Sequence, residues 1–411
     1  MLFAYTTIVY RGALGFNCHC VAFGVYALAS MTFVSPVVAW VGSKAAIVLA
    51  LVLYLVQYIA FVICSAMPNV WQMHGLAYAG AVCCGLGAGL RWTAGGAFLA
   101  QSAQRIASAT GKSCESKTSG LAAVFGFWAL GTECLVKASG FALQEAGLGS
   151  TATFAVCLPL ALASIVAAAI GTLPVHGLAA TKPAAVHAAE EPRRCGDAGA
   201  ISLWLDPKIW LLSFLTIGFA LAVSFVNGIV AGEFVRPQLG EKYVALFSAG
   251  IALLGSTLQG LLRICARKFG NGFNMVTAST ALALMPTVAL VFDAQCLGWR
   301  LTVFYVLMGV VRAVWESTNR AVLVQFFPAP RTEAAFATMA TQNALATCAG
   351  FFLAGRTPLR WYLVLMLSVA CMVAPGYIAA CRFHAASETR DAGSTPHAGN
   401  NPPEATDSGV A

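Results

Sequence analysis

Six ionisable side chains lie in the interiors of long apolar stretches: Arg91, Glu133, Lys137, Arg312, Glu316 and Arg320. Glu133 and Lys137 are four residues apart with the acid first, the favourable order for a pair on one helix face. Arg312, Glu316 and Arg320 repeat at the same spacing, and at 3.6 residues per turn each step rotates by only about 40°. One carboxylate between two guanidinium groups leaves positive charge in surplus, and the six together sum to +2. Two readings follow. The charges are ion pairs knitting helices together, or they form a cationic cavity that receives an anion. Arg suits the second role because its planar fork grips carboxylate or phosphate at two points.

Other residues in the same stretches could assist. Trp92 and Trp315 can stack on a ligand or pack at a Gly-rich helix contact, and Asn227 is a polar cavity candidate. Gly85, Gly87, Gly89, Gly95 and Gly96 read as points of close helix approach. None of the six histidines lies deep in an apolar run, so Glu133 and Glu316 are the only carboxylates that could carry protons. Both sit beside basic residues, an arrangement of ion pairs rather than of a proton carrier. Cys18-His19-Cys20 has the chemistry of metal ligands, but no second cluster completes a set of four. The other cysteines of the 14 are scattered apolar fillers. No nucleophile has both a base and an orienting partner, so neither an enzyme nor a cofactor is expected.

The elements that must position these residues follow from composition. Hydrophobic residues make up 59% of the chain and charged ones 10%, against about 25% charged in soluble domains. Eleven apolar runs stand out, at Phe16–Val41, Ala45–Met67, Leu76–Ala100, Ser119–Leu143, Thr151–Leu173, Ile209–Phe234, Lys242–Cys265, Gly272–Phe292, Trp299–Phe327, Ala334–Gly355 and Leu359–Cys381. Each is about 20 residues or longer, enough to cross a ~30 Å hydrocarbon core. Lipid offers the backbone no partners, so the runs must be helices. An all-α, polytopic helical membrane protein is expected, with the bilayer as its first partner.

His176 to Lys208 is the one long connector and, lacking a sustained apolar face, reads as a flexible linker. It divides the chain into an N-terminal bundle (residues 1–175, five spans) and a C-terminal bundle (209–383, six spans), with a disordered tail over 384–411. If the loops alternate sides, fourteen Lys and Arg fall on the side of the linker and tail and six on the other. By the positive-inside rule the linker and C-terminus are cytoplasmic. That bias accounts for most of the net charge of +8 and suits an anionic inner leaflet. It calls for no nucleic-acid partner.

The two bundles resemble each other. Val41-Gly42-Ser43-Lys44 makes a short basic hairpin, and a second one runs from Gly260 through Arg263, Arg267 and Lys268 to Gly270. Gly87-Ala88-Gly89-Leu90-Arg91-Trp92 and Val310-Val311-Arg312-Ala313-Val314-Trp315 each put an Arg and a Trp mid-span. Paired halves joined by a long linker are the mark of the six-plus-six major facilitator architecture. The first half is then one helix short. Met1 to Tyr10 is apolar but too short to span, and it lacks the basic start and cleavage site of a signal peptide. The expectation is a chain that begins inside its first helix and leaves a groove where a sixth belongs.

The stretch Gly85-Leu86-Gly87-Ala88-Gly89-Leu90-Arg91-Trp92-Thr93-Ala94-Gly95-Gly96-Ala97-Phe98-Leu99 resembles a motif of the Unc-ninety-three-like (uncoordinated) family of the major facilitator superfamily. Gly126-Phe127-Trp128, Ala313-Val314-Trp315 and Glu333-Ala334-Ala335-Phe336-Ala337 resemble that family's fifth, tenth and eleventh helices, and Leu14-Gly15 falls where it leaves its first. The resemblance implies a twelve-helix fold with a central cavity. It also implies two kinds of role, because members act as regulators of a potassium channel or trafficking chaperones of receptors, while others are orphan solute carriers. This chain departs from the pattern at three places. Arg91 stands where the family is uncharged, Arg312 where it is acidic, and Thr132-Glu133 where it has Gly-Asn.

The expected function is therefore secondary transport of a small anionic solute by alternating access. The alternative is a non-transporting regulator or trafficking partner of another membrane protein. The candidate cavity residues are Arg91, Trp92, Glu133, Asn227, Arg312, Trp315, Glu316 and Arg320.

Overall fold

The structure is a computed structural model that describes residues 2–10, 13–67, 73–110, 114–171, 203–292, 296–327 and 331–394. Its elements are helical: α1 Leu2–Val9, α2 Leu14–Thr32, α3 Val34–Val41, α4 Ser43–Ala66, α5 Met73–Thr110, α6 Cys114–Glu145 and α7 Ser150–Gly171. After the linker come α8 Pro207–Ser224, a π-helical stretch Phe225–Val235, α9 Arg236–Leu239, α10 Glu241–Phe269 and α11 Asn271–Val291. A 3-10 turn Gly298–Leu301 opens α12 Thr302–Val314, which passes through a π turn Trp315–Asn319 into α13 Arg320–Phe326; α14 Thr332–Ala354 and α15 Leu359–Ser394 follow.

Each of the eleven expected runs is helical. Among the described residues nine helices are long and apolar enough to cross a membrane. The other two, α6 with 32 residues and α14 with 23, have the length but carry more polar residues. On α14 that polarity is turned inward. Thr338, Thr341, Gln342 and Thr347 are buried, and Gln342 accepts a 2.6 Å hydrogen bond from Ser213 on α8. A polar face is tolerated in lipid only when another helix satisfies it.

The two basic hairpins share a backbone device. Gly42 between α3 and α4 has φ 84°, and Gly270 between α10 and α11 has φ 79°. A left-handed residue reverses the chain in one step, and only glycine does so without a Cβ clash. At the end of the linker, Asp206 caps α8 by accepting from the Lys208 amide at 3.0 Å, with Pro207 at the first helical position. Such caps fix where a helix starts.

Several expectations change. The tail expected from His384 is helical to Ser394, with His384 stacked on Phe326; residues 395–411, and most of the linker, lie outside the described residues. The first run is broken at Phe33 into α2 and α3, and the sixth and ninth contain π-helical turns, which a periodicity argument at 3.6 residues does not see. Met1 to Tyr10, too short to span, contains α1, which docks on the 225–235 stretch, with Tyr5 fully buried and donating to Gln144 at 3.0 Å and to the Glu241 carbonyl at 3.1 Å.

Helices from before and after the linker meet along two seams, α6 against α10 and α2 against α14. Of the five α5 glycines expected to mark close approach, Gly85, Gly87 and Gly89 do so: a Cβ on Gly85 would collide with the Ala22 carbonyl, and one on Gly87 would lie 3.0 Å from the Ala50 carbonyl. Gly95 and Gly96 are not, since nothing lies within 4 Å of their would-be Cβ atoms.

Candidate functional site

α6 turns one face inward and one outward. Leu130 and Lys137 are buried, whereas Trp128 and Leu135 are 67% and 71% exposed. Glu133 lies between Leu130 and Lys137 on the inner face. Its Oε1 accepts from Arg312 Nη1 at 2.9 Å and its Oε2 from Nη2 at 2.5 Å, a two-pronged pair. Lys137 Nζ donates to Oε1 at 2.6 Å and to the Ser248 carbonyl on α10 at 3.3 Å. Three helices, α6, α10 and α12, are thus tied at one carboxylate. Charge-assisted and bidentate bonds of this kind are the strong ones.

The triad is not sealed. The Glu133 side chain is 30% exposed and that of Arg312 18%. Glu133 projects from the same side of α6 as the buried Leu130 and Lys137, away from the exposed Trp128 and Leu135. One carboxylate shared by two cations leaves a net charge of +1 there.

A second cluster lies on the same stripe. Arg320 Nη2 donates to Glu316 Oε2 at 2.6 Å, and Glu316 is within electrostatic reach of Arg312. The stripe does share a face, but Arg312 takes its partner from α6 rather than from Glu316. No sequence period could reveal that contact, which spans 179 residues. The π turn Trp315–Asn319 separates the two arginines, and π turns in α-helices are frequent at functional sites. Trp315 in this turn stacks on Phe219 at 4.4 Å with its Nε1 buried and without a partner. The Arg320 guanidinium lies 6.0 Å from the same ring.

Arg91 forms no ion pair among the described residues. Its guanidinium sits 5.3 Å from the Trp92 ring and within electrostatic reach of the Tyr54 hydroxyl, and Arg91 and Arg320 are both in electrostatic reach of Tyr26. One turn on, the open space beside Gly95 leaves this flank of α5 uncovered. Trp92 itself is 40% exposed. Asn227 is apart from both clusters. Its Nδ2 donates to Val223 in its own helix at 3.0 Å, and its carbonyl accepts from Thr7 on α1 at 2.8 Å.

The structure thus joins Glu133, Lys137 and Arg312, joins Arg320, Glu316 and Trp315, and sets Arg91 near the second group through Tyr26. Tyr26 and Tyr54 were not anticipated, because an isolated Tyr in an apolar run carries no spacing signal. Cys18, His19 and Cys20 diverge. Successive helical residues point about 100° apart, so His19 stacks on Phe351 at 4.2 Å while Cys20 meets Cys348 on α14. No group of three His, Cys, Asp or Glu among the described residues could hold a metal ion.

No family model matches the sequence, and no curated protein matches it either. The fold has solved counterparts. The chain is similar to a D-xylose–proton symporter (TM-score 0.62, 14% identity, covering 92% of this chain and 93% of that one). It is similar to the nucleoside transporter NupG (0.60, 11%, 92% and 96%). It also matches a partially occluded, inward-open xylose transporter XylE from E. coli (0.59, 12%, 92% and 93%). The chain has the major facilitator-type fold of a multi-pass membrane protein.

Proposed function

We propose that this chain is a secondary transporter of a small anionic solute, which binds between the two bundles and crosses by their rocking. The observation that carries this reading is the Glu133–Lys137–Arg312 triad, where a carboxylate of the protein already occupies the geometry an incoming anion needs. The substrate's carboxylate or phosphate takes the Arg312 fork and the Lys137 ammonium in exchange for Glu133. The empty site carries one positive charge in surplus, and a bound monoanion brings it to balance, which favours the loaded state in a low-dielectric site. Arg91, Glu316, Arg320 and Trp315 form the adjoining wall, with Trp92 at its margin; Asn227, apart from both clusters, is not part of it. The bundles rock about this midplane site, and the transporters sharing the fold support that motion. The excess of basic residues on the linker side supports a cytoplasmic linker and tail.

The Unc-ninety-three-like resemblance belongs to the same proposal, with Arg91, Glu133 and Arg312 as the changes that turn such a cavity cationic. The test is the thermal stability of the purified protein with inorganic phosphate, lactate or succinate at constant ionic strength. A ligand at 100 times its Kd stabilises by about 2.7 kcal/mol. A rise in melting temperature with one of these anions, absent in Arg312→Gln, is the expected result. No rise with any anion, together with co-purification of a channel or receptor, would favour the regulator instead.

A further inference from the structure

Cys20 on α2 and Cys348 on α14 are 328 residues apart in sequence, yet each thiol reaches the other's backbone: Cys20 Sγ to the Cys348 carbonyl at 3.5 Å and Cys348 Sγ to the Cys20 carbonyl at 3.2 Å. We propose that Cys20 and Cys348 are a thiol–disulfide couple that staples α2 to α14 across the two bundles, so that an oxidising small-molecule disulfide arrests the protein in one conformation.

Four features converge on this pair. The seam is narrow because small residues line it: a Cβ on Gly24 would lie 3.7 Å from Cys348 Sγ, and Ala27 and Ala344 are fully buried in one cluster. Close approach in both directions is what a disulfide needs, since the Cα atoms it joins lie roughly 4.4–6.8 Å apart. The pair sits near helix ends, about 9 Å from Leu14 and from Ala354 at 1.5 Å per residue, and both thiols are only partly buried. Arg356, exposed and donating to Asn17 at 2.9 Å, marks this edge as the polar end of the seam.

The position gives the bond its consequence. Cys20 and Cys348 lie at the end of the bundle opposite the linker, where the second seam is already tied by Glu145–Lys242 at 2.7 Å and Ser150–Glu241 at 2.7 Å. Those ties are reversible and the disulfide is not, short of reduction. In the exchange, the Cys348 thiolate attacks one sulfur of a low-molecular-weight disulfide such as oxidised glutathione and releases one small thiolate. The Cys20 thiolate then attacks the mixed disulfide at the Cys348 sulfur and releases the second. Two protein thiols are oxidised to one bond, and the small disulfide is reduced to two thiolates, which take up the two protons that the protein thiols give up. Rocking must part α2 from α14 at this end, so the bond holds it shut. That consequence rests on the transport reading; bond formation does not.

The experiment treats the full-length protein in lipid nanodiscs with oxidised glutathione or with dithiothreitol. Peptide mass mapping and hydrogen–deuterium exchange follow. Oxidation is expected to yield a linked peptide carrying Cys20 and Cys348, and to slow exchange at least tenfold in 13–24 and 344–356. Dithiothreitol should reverse both changes, and Cys20→Ser and Cys348→Ser should show neither. Absence of the linked peptide overturns the couple. A linked peptide with unaltered exchange overturns the gating. Uptake in liposomes is read separately: absence of uptake in the reduced protein would count against the transport reading while leaving the mapped bond in place.

Discussion

Replacing Glu133 by Gln removes the one carboxylate held by both Lys137 and Arg312. At a charge separation of about 4 Å and an effective dielectric of about 20, each attraction has a gross value of roughly 4 kcal/mol. Two are lost, and the repulsion between the two cations is left unopposed. Against this, the carboxylate no longer has to be desolvated, and the opening that leaves Glu133 30% exposed admits water to the freed cations. Stripping one partner from a sealed ion pair costs about 3–5 kcal/mol, so the expected destabilisation is about 3 kcal/mol. Arg312→Gln alone leaves Glu133 with Lys137 and should cost less, about 1.5–2.5 kcal/mol, within the range of a charged hydrogen bond. The double variant should therefore fall short of additivity by about 1 kcal/mol or more, and a triple variant with Lys137→Met should recover further, because a neutral core strands no charge. Unfolding in a detergent–denaturant titration is a suitable assay, with Trp315, stacked on Phe219, as the fluorescent reporter. Additivity within about 0.5 kcal/mol, or a Glu133→Gln protein as stable as the parent, would refute the shared-carboxylate account.

The glycine contacts predict opposite outcomes on one helix. Gly85→Val should force α5 off α2 and cost about 1–3 kcal/mol, whereas Gly96→Ala, with nothing within 4 Å, should be neutral or gain up to about 1 kcal/mol from helix propensity; detergent-extracted folded yield distinguishes them. Asp206→Ala should cost about 1 kcal/mol through the lost α8 cap, plus under about 1 kcal/mol for its 3.2 Å pair with the exposed Arg331, read as a lower melting temperature that Arg331→Ala barely lowers further.

The fold was legible because lipid enforces it: a long apolar run has few alternatives to a helix, and the described residues of the eleven runs are helical apart from the break at Phe33 and a few residues at run ends. Glu133–Lys137 and Glu316–Arg320 were legible too, since local spacing specifies them. The Glu133–Arg312 pair was not, because it depends on how α6 packs against α12, and a single chain's spacing carries no record of that. The same gap explains Gly95 and Gly96. Composition says that a residue is small but not whether a neighbour stands opposite. Asn227 illustrates a third limit, for a polar side chain in an apolar helix can satisfy itself on its own backbone, as it does on Val223.

The central claim is that Arg312 and Lys137 receive a small anion in place of Glu133, and uptake into liposomes holding the purified protein tests it directly. Radiolabelled phosphate, lactate and succinate are compared with the neutral solutes D-xylose and uridine. The account predicts accumulation of at least one anion and of neither neutral solute. It further predicts that Arg312→Gln, folded by size-exclusion chromatography, loses that uptake by at least tenfold, the equivalent of about 1.4 kcal/mol. Uptake of D-xylose or uridine that Arg312→Gln leaves unchanged would contradict it.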